Sequence, residues 1–333
     1  MIITRTPLRV SFAGGGSDLP AWIAKGNMGA VVSSTINRYI YITAGPHWRS
    51  NRLRVGYRKT EFVSNAKRLE HELVRECLLL MGIETGLEIT SIAEIPGHGT
   101  GLGSSSSYTV GLLHALARMI GVKPSAQWLA DRACIVEIDR ANKPIGKQDQ
   151  YAAAFGGFNY IRFRTNGMVE VEPLLISNDI IQKLNDRLLL FYTGIKRRSD
   201  DILIEQSKNL KLDALAECTQ KMVSCAFAIR DALENEKLDD FGYILGEAWQ
   251  HKREMASNIT RTDIDQMYDR AINAGALGGK LCGAGGGGFL LFYVPNETVK
   301  AEVMRMMKLR QLKVRFGVKG SQCVWDDREM NYE

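Results

Sequence analysis

The sequence predicts an α+β protein built in two parts. Strand-like and helix-like stretches alternate along the first half, but without the regular strand–helix–strand rhythm of a doubly wound parallel sheet. From about residue 180 the pattern changes: helical periodicity fills 200–275, and apolar strand-like runs follow, as expected for helices packed on an antiparallel sheet. A chain of 333 residues with 45% apolar content is also long enough for two cores. The division is placed at 185/186, giving units over 1–185 and 186–333.

Taken in order, residues 2–13 alternate well enough for a strand (Ile3, Leu8, Val10, Phe12) that ends at Gly14, Gly15 and Gly16. Ser17 and Asp18 stand just beyond that strand end. Residues 30–44, rich in β-branched residues and tyrosine, read as a second strand. The segment 48–59 is basic, with Trp48 and Tyr57 between arginines, and reads as a nucleotide or nucleic-acid groove or, preferably, as a solvated hairpin. An amphipathic helix is expected over 65–82 (Leu69, Leu73, Cys77, Leu80) and a strand over 87–95.

That strand feeds the most informative stretch, Pro96 to Gly121. Gly97, Gly99, Gly101 and Gly103 alternate, Ser104 to Ser107 follow, and then Tyr108, Leu112, Leu113, Leu116 and Met119 have the spacing of a helix with one buried face. A glycine loop running into a serine-rich helix start offers unpaired N–H groups and a positive dipole end, which is an anion site and most often a phosphate site. The serine hydroxyls are suitable ligands for Mg²⁺. No lysine follows Gly103, so this is not the familiar Gly-x-x-x-x-Gly-Lys phosphate loop, nor does it match Gly-x-Gly-x-x-Gly. A plain glycine turn before a capped core helix is the bland alternative.

A helix is expected over 125–141 with Trp128, Leu129, Ala133 and Ile135 on its apolar side, which places Glu137 near the edge of that face. Asn142-Lys143-Pro144 ends it. Gly146-Lys147-Gln148-Asp149-Gln150 then puts a second carboxylate in a glycine-flanked turn. Spacing alone leaves Glu137 as a metal carboxylate or a surface-edge residue, and Asp149 as a base or a turn cap. Strands are expected over 155–163 and 187–193, and a second glycine cluster, 278–288, precedes a strand over 289–294. A helix over 297–310 and an alternating strand with Leu312, Val314 and Phe316 inward follow. Asp240-Phe241-Gly242 mimics a protein-kinase metal triplet but lies among helical residues without its companion motifs, and reads as chance.

Composition narrows the function classes. A net charge of +6 from 43 basic and 37 acidic residues suits anionic small molecules better than a nucleic-acid backbone. The six cysteines are scattered, without metal-like spacing, and fit reduced thiols. The first residues lack the apolar run of a signal peptide and no stretch approaches about 20 apolar residues, so no membrane span and a cytoplasmic location are expected. Two distant glycine clusters point to a ligand held between the two units.

Three motifs in order, 5–18, 96–107 and 280–288, resemble the GHMP small-molecule kinases. The resemblance spans nearly the whole chain, and within the family the wording is closest to the heptose 7-phosphate kinases, through Gly-Gly-Gly-Ser-Asp, Gly-Thr-Gly-Leu-Gly-Ser-Ser-Ser-Ser and Gly-Lys-Gln-Asp-Gln-Tyr-Ala-Ala-Ala-Phe-Gly-Gly. It implies a ribosomal-S5-like N-terminal domain and a ferredoxin-like C-terminal one, with ATP and Mg²⁺ as cofactors. It also implies roles. The run Pro96, Gly97, Gly99, Thr100, Gly101, Leu102, Gly103, Ser104, Ser105 and Ser106 would wrap the ATP phosphates, with Ser105 and Glu137 on the metal. Asp149 would take the proton from the acceptor hydroxyl beside Arg9. Gly15, Gly16, Ser17, Asp18 and Lys147 would meet the sugar, and Gly283, Ala284, Gly285 and Gly286 would help close the site. Arg197 and Arg198 are the candidate residues for a distal phosphate, with a solvated turn as the alternative. The partners implied are ATP and a small-molecule sugar phosphate, with no nucleic acid and no membrane; a homodimer is compatible. The reaction implied is phosphorylation of the anomeric hydroxyl of a heptose 7-phosphate. The alternatives are a related kinase acting on fucose or mevalonate and a ligand-sensing regulator that kept the fold.

Overall fold

A computed structural model of the protein describes residues 1–49, 51–95, 99–195, 199–210 and 216–329. In chain order the strands are β1 (Ile2–Ala13), β2 (Gly29–Pro46), β3 (Leu53–Gly56), β4 (Thr60–Val63), β5 (Leu87–Ala93), β6 (Phe158–Phe163), β7 (Val169–Pro173), β8 (Leu188–Tyr192), β9 (Gly278–Leu281), β10 (Phe289–Tyr293), β11 (Arg310–Gln311) and β12 (Gln322–Asp326). The helices are α1 (Pro20–Ile23), α2 (Glu72–Leu80), α3 (Ser104–Met119), α4 (Ala126–Cys134), α5 (Gln148–Phe155), α6 (Asn178–Arg187), α7 (Ser199–Asn209), α8 (Ala216–Glu234), α9 (Leu238–Arg253), α10 (Thr262–Asn273) and α11 (Glu297–Met307).

The first sheet runs β12-β1-β2-β5-β3-β4, with β6 and β7 continuing from β2. The long β2 makes this possible: residues 29–34 pair with β6, and residues 40–46 pair with β5. All its pairings are antiparallel except β3 with β5. The second sheet, β11-β8-β10-β9, is antiparallel throughout, with α9 packed against β9. The α+β expectation and the antiparallel second half are what the chain forms. One apolar core continues through both parts. At its centre Phe12 of β1 meets Phe241 of α9 edge to face at 5.3 Å, with Phe158 and Phe316 on its other sides. Asp240-Phe241-Gly242 is thus a packed piece of α9, where a methyl on Gly242 would lie 2.4 Å from the Tyr293 ring.

Several elements differ from the sequence expectations. The helix expected over 65–82 is a short 3₁₀ turn at Ala66–Arg68 and a separate α2, because His71 takes an extended conformation and its ring accepts the Val74 N–H as an N-cap. Phe155 ends α5 rather than starting a strand. Residues 312–315 keep the alternation of half-buried and exposed side chains but form no ladder strand. They cross between the sheets: Leu312 N–H donates to Leu190 O of β8, Asn37 N–H of β2 donates to Arg315 O, and Phe316 bridges to Ile36. The chain then adds β12 to the edge of the first sheet. Position 185/186 falls within α6. The basic 48–59 segment leads into the β3–β4 hairpin at the far sheet edge, with Trp48 exposed and stacked with Arg49. The cysteines are all free thiols. Among the described residues no helix is long and apolar enough to cross a membrane.

Candidate active site

The glycine loop enters α3 as the sequence suggests, and its backbone explains the alternation. Gly99, Gly101 and Gly103 sit at φ +74°, +75° and +73°, the left-handed region that only glycine occupies without strain. Gly103 is the helix N-cap and brings no side-chain cap. The Ser104 hydroxyl is buried without a hydrogen-bond partner. Unsatisfied donors of this kind suit a phosphate. Pro96 and Gly97 lie outside the described residues.

Glu137 departs most from its expected place. The helix over 125–141 exists, but Ile135–Arg140 are wound as a π turn. The extra residue per turn shifts the phase, so that Ile135 is exposed and Glu137 is completely buried. Its carboxylate accepts from Ser105 Oγ at 2.7 Å, Ser106 Oγ at 2.6 Å and Gln150 Nε2 at 2.7 Å. Burial raises its pKa, and these three donors oppose the shift. A hydroxyl and a carboxylate are hard oxygen ligands that fit Mg²⁺ chemistry. Ser105, on the cavity wall, and Glu137 behind it are the residues that would hold such an ion.

Asp149 lies in the first turn of α5, not in an irregular turn. Arg9, on β1 and only 4% exposed, grips it with Nε to Oδ1 at 2.7 Å and Nη2 to Oδ2 at 2.6 Å. The remaining guanidinium nitrogen, Nη1, donates to Gly101 O at 2.7 Å, and Arg9 N–H to Leu102 O at 3.0 Å. One side chain therefore ties the glycine loop to the carboxylate.

Asp18 is buried beside them. Its oxygens accept from Gly16 N–H, Gln148 N–H and Gln148 Nε2 at 3.0–3.1 Å. Burial raises its pKa, the Gln148 and Gly16 N–H groups oppose this, and the Asp149 charge adds to it. Gly146 is needed here, since a Cβ would lie 2.1 Å from Asp18 Oδ2. Asp18 thus fixes the loop that leads into α5 as well as facing the cavity.

A cavity of about 380 Å³ joins these groups. Its walls include Arg9, Gly15, Gly16, Asp18, Gly99, Thr100, Gly101, Gly103, Ser104, Ser105, Ser106 and Asp149, together with Gly283 and Ala284 from the second half. Gly283 touches the first glycine loop: a Cβ there would lie 2.6 Å from Gly101 Cα. Besides Glu137, four expected residues lie behind the wall. Leu102 is packed in the core, the Ser17 hydroxyl bonds Gly14 O and Ala30 O, Gly285 packs on Ile259, and Gly286 N–H donates to Ile259 O. Lys147 turns to a second depression and donates to Gly167 O. Arg197 and Arg198 lie outside the described residues. No described residue of 48–59 lines the cavity.

Sequence reasoning missed Lys252, His71, Glu72, Lys143 and Leu203, all on the wall. It also missed the charge of Lys280, which is buried and donates to Ser11 O and Phe12 O at 2.7 and 3.0 Å. Burial, with Lys252 and Arg9 nearby, pushes its pKa down to about 7. The motif starting at Lys280 was legible, but its role was not: only the approach of β9 to β1 makes that lysine a tie between the two halves.

An anion cradle, a hydroxyl–carboxylate pair and a carboxylate held by a guanidinium can align a phosphoryl donor with a hydroxyl acceptor. The comparisons agree. The GHMP kinases N terminal domain matches residues 60–157, and the GHMP kinases C terminal domain matches residues 229–312. The chain is 30% identical over 327 residues to a D-glycero-alpha-D-manno-heptose 7-phosphate kinase of Campylobacter jejuni, covering 93% of this chain and 94% of that one. It is 28% identical to a bifunctional fucokinase/GDP-fucose pyrophosphorylase of Arabidopsis thaliana, over 90% of this chain and 30% of that longer one. A crystal structure of a D-glycero-D-manno-heptose 1-phosphate kinase from Bacteroides thetaiotaomicron superposes with a TM-score of 0.79 at 26% identity, covering 98% of this chain and 99% of the other. The chain belongs to the GHMP kinases, and its fold is theirs: a ribosomal-S5-like part followed by a ferredoxin-like one.

Proposed function

We propose that the protein moves the γ-phosphoryl group of ATP to the anomeric hydroxyl of D-glycero-D-manno-heptose 7-phosphate, giving the 1,7-bisphosphate for nucleotide-activated heptose synthesis. The observation that carries this reading is the Arg9–Asp149 pair on the wall shared with the glycine loop, in a chain similar over nearly all its length to a heptose 7-phosphate kinase. On this reading residues 1–185 supply the donor loop and the base, and residues 186–333 close the cavity with Gly283 and Ala284.

The chemistry follows from the groups in place. The loop N–H groups and Ser104 bind the phosphates and orient the γ-phosphorus. Ser105 and Glu137 would hold Mg²⁺, which when bound would offset charge on the phosphate oxygens. The sugar oxygen forms a bond to the γ-phosphorus as the bond to the β–γ bridging oxygen breaks, and Asp149 accepts the hydroxyl proton. Arg9 orients Asp149 and keeps a positive charge beside the transferring group. An anomeric hydroxyl is more acidic than an ordinary alcohol, which eases the demand on the base. A fucose-like acceptor is the second reading, supported by the fucokinase relative and by Asp18 as a partner for sugar hydroxyls.

ADP release with Mg-ATP against heptose 7-phosphate, mannose, fucose, galactose and mevalonate tests both. Selective turnover of the heptose phosphate is expected. Preferential turnover of another acceptor would replace it, and bound ATP with no turnover of any would leave a sensor.

A further inference from the structure

Away from the cavity, α8 and α9 bring three metal-ligating groups of different kinds to one point. Just past α8, Glu236 sits at φ 60° and Lys237 N–H donates back to Ala232 O, so the chain reverses at once into α9. The two helices pack on each other, and their buried side chains include Met222, Ala226 and Ile229 of α8 and Leu245 and Ala248 of α9. Cys225 and Glu247 are equally distant in sequence from Glu236, as are Cys218 and Glu254, so each pair faces across the hairpin. The Cys218 thiol donates to Glu254 Oε2 at 3.1 Å, which fixes that register.

At the level of Cys225 a third group joins, because His251 lies one turn along α9 from Glu247 on the same face. Cys225 Sγ, a Glu247 carboxylate oxygen and a His251 ring nitrogen all lie within 4.8 Å of one another. Glu247 Oε1 and His251 Nε2 are 3.6 Å apart, too far for a hydrogen bond. The spacing is close to the edge of a metal tetrahedron instead. Zinc bonds of about 2.0–2.2 Å to nitrogen and oxygen set those two ligands roughly 3.3–3.5 Å apart. Small side-chain rotations would bring the sulfur in as well.

The donor set selects the ion. A thiolate and an imidazole suit zinc, whereas Mg²⁺ and Ca²⁺ take oxygen. The three ligands are also graded in depth, with Cys225 buried, His251 partly exposed and Glu247 exposed. An ion held there is reached from solvent and keeps a water in the fourth position. None of the three lines the cavity, so this place is separate from Ser105 and Glu137.

We propose that Cys225, Glu247 and His251 bind a zinc ion that clips α8 to α9. The thiol gives its proton to solvent as the sulfur–zinc bond forms, while His251 binds as the neutral ring and Glu247 as the carboxylate. The clip holds a helix that also lines the cavity, through Lys252. It does not depend on which sugar the protein phosphorylates.

The test uses the full chain, reduced and stripped with a chelator, in excess Mg²⁺ so that hard-oxygen sites are filled. Zinc binding is measured by calorimetry. Co²⁺ serves as the spectroscopic stand-in, because a thiolate on Co²⁺ gives an intense near-ultraviolet charge-transfer band. One ion per chain, that band and a rise in Tm with zinc are expected. Cys225→Ala should abolish the band, and it and His251→Ala should each weaken zinc binding on the order of tenfold or more. Cys218→Ala should leave binding unchanged. Glu247→Gln alters an exposed side chain and tests the site even where the buried thiol is needed for folding; it too should weaken binding. Absence of zinc binding or of the charge-transfer band overturns the proposal. Binding that survives the Cys225, His251 and Glu247 substitutions, or that is lost with Cys218, does the same.

Discussion

Arg9 and Asp149 face each other as a fork on a fork, with hydrogen bonds of 2.7 and 2.6 Å, and the arginine is almost wholly out of solvent while the carboxylate keeps 23% of its side-chain surface. On the proposed reaction, the partly open member of the pair is the one that meets the substrate proton. Asp149→Asn keeps the shape and removes the base. A fall in kcat of about 10²–10⁴-fold is expected with the Kd for Mg-ATP within about threefold. Single-turnover kinetics with a nucleotide-binding titration checks it, and turnover above a tenth of the original rate would remove Asp149 as base.

Glu137→Gln should separate metal binding from stability. Its raised carboxyl pKa means that stability is lost as pH rises from the ordinary glutamate value through the raised one, so the ionised form at neutral pH is a cost to the fold. The amide removes together that cost and the carboxylate proposed to hold the metal. Half-saturating Mg²⁺ is expected to rise about tenfold or more, while Tm without Mg²⁺ stays level or rises. An unchanged Mg²⁺ dependence would take Glu137 out of the metal site.

Gly101→Ala should damage the seam between the glycine loops. The new methyl would lie 2.2 Å from Cys282 O, at a residue with φ +75°. Left-handed strain and the clash together are expected to destabilise by roughly 2–4 kcal/mol, read by chemical denaturation, with activity lost at permissive temperature. A silent variant would mean that the loops separate freely.

Lys280 predicts a pH dependence of stability. With its folded pKa pushed down to about 7 from 10.5, the unfolded chain holds one more proton between those values. Stability therefore rises with pH across that window, by up to about 1.4 kcal/mol per unit, and the burial cost is fully present below it. Lys280→Met lacks this slope. Denaturation curves of both proteins between pH 6.5 and 9 should diverge, and parallel curves would refute the shift.

Much of the site was legible because it is local. The alternation of Gly99, Gly101 and Gly103 before four serines encodes a backbone shape and a helix start within one stretch. Glu137 was placed on the right helix but at the edge of its packed face rather than within it, because periodicity assumes a uniform turn and Ile135–Arg140 form a π turn. Asp149 stands on the cavity wall, but Asn142 at φ 48° and the contact of Gly146 with Asp18 shape the loop 141–147 that delivers it there in the first turn of α5, which spacing did not show. Lys147 points away for the same reason that Gln148 points in: successive residues of a helix start leave in different directions. Lys252 sat in an unremarked amphipathic helix, and only the approach of α9 to the Gly14–Gly16 loop makes it part of a site. The pairing of β12 with β1 joins residues separated by nearly the whole sequence, and no short-range pattern can signal it.

That pairing has a consequence for biosynthesis. Ile2 leaves the ribosome long before Asp326, its neighbour on this edge. The N-terminal half must therefore wait with a bare strand edge, open to pairing with other nascent chains, while the whole of the second half is translated. Completion of the first sheet must await β12, and it is rate-limiting if closure of so long a loop governs folding. Overproduction should then expose the β1 edge before it can be covered, and slower synthesis at low temperature should improve the soluble yield.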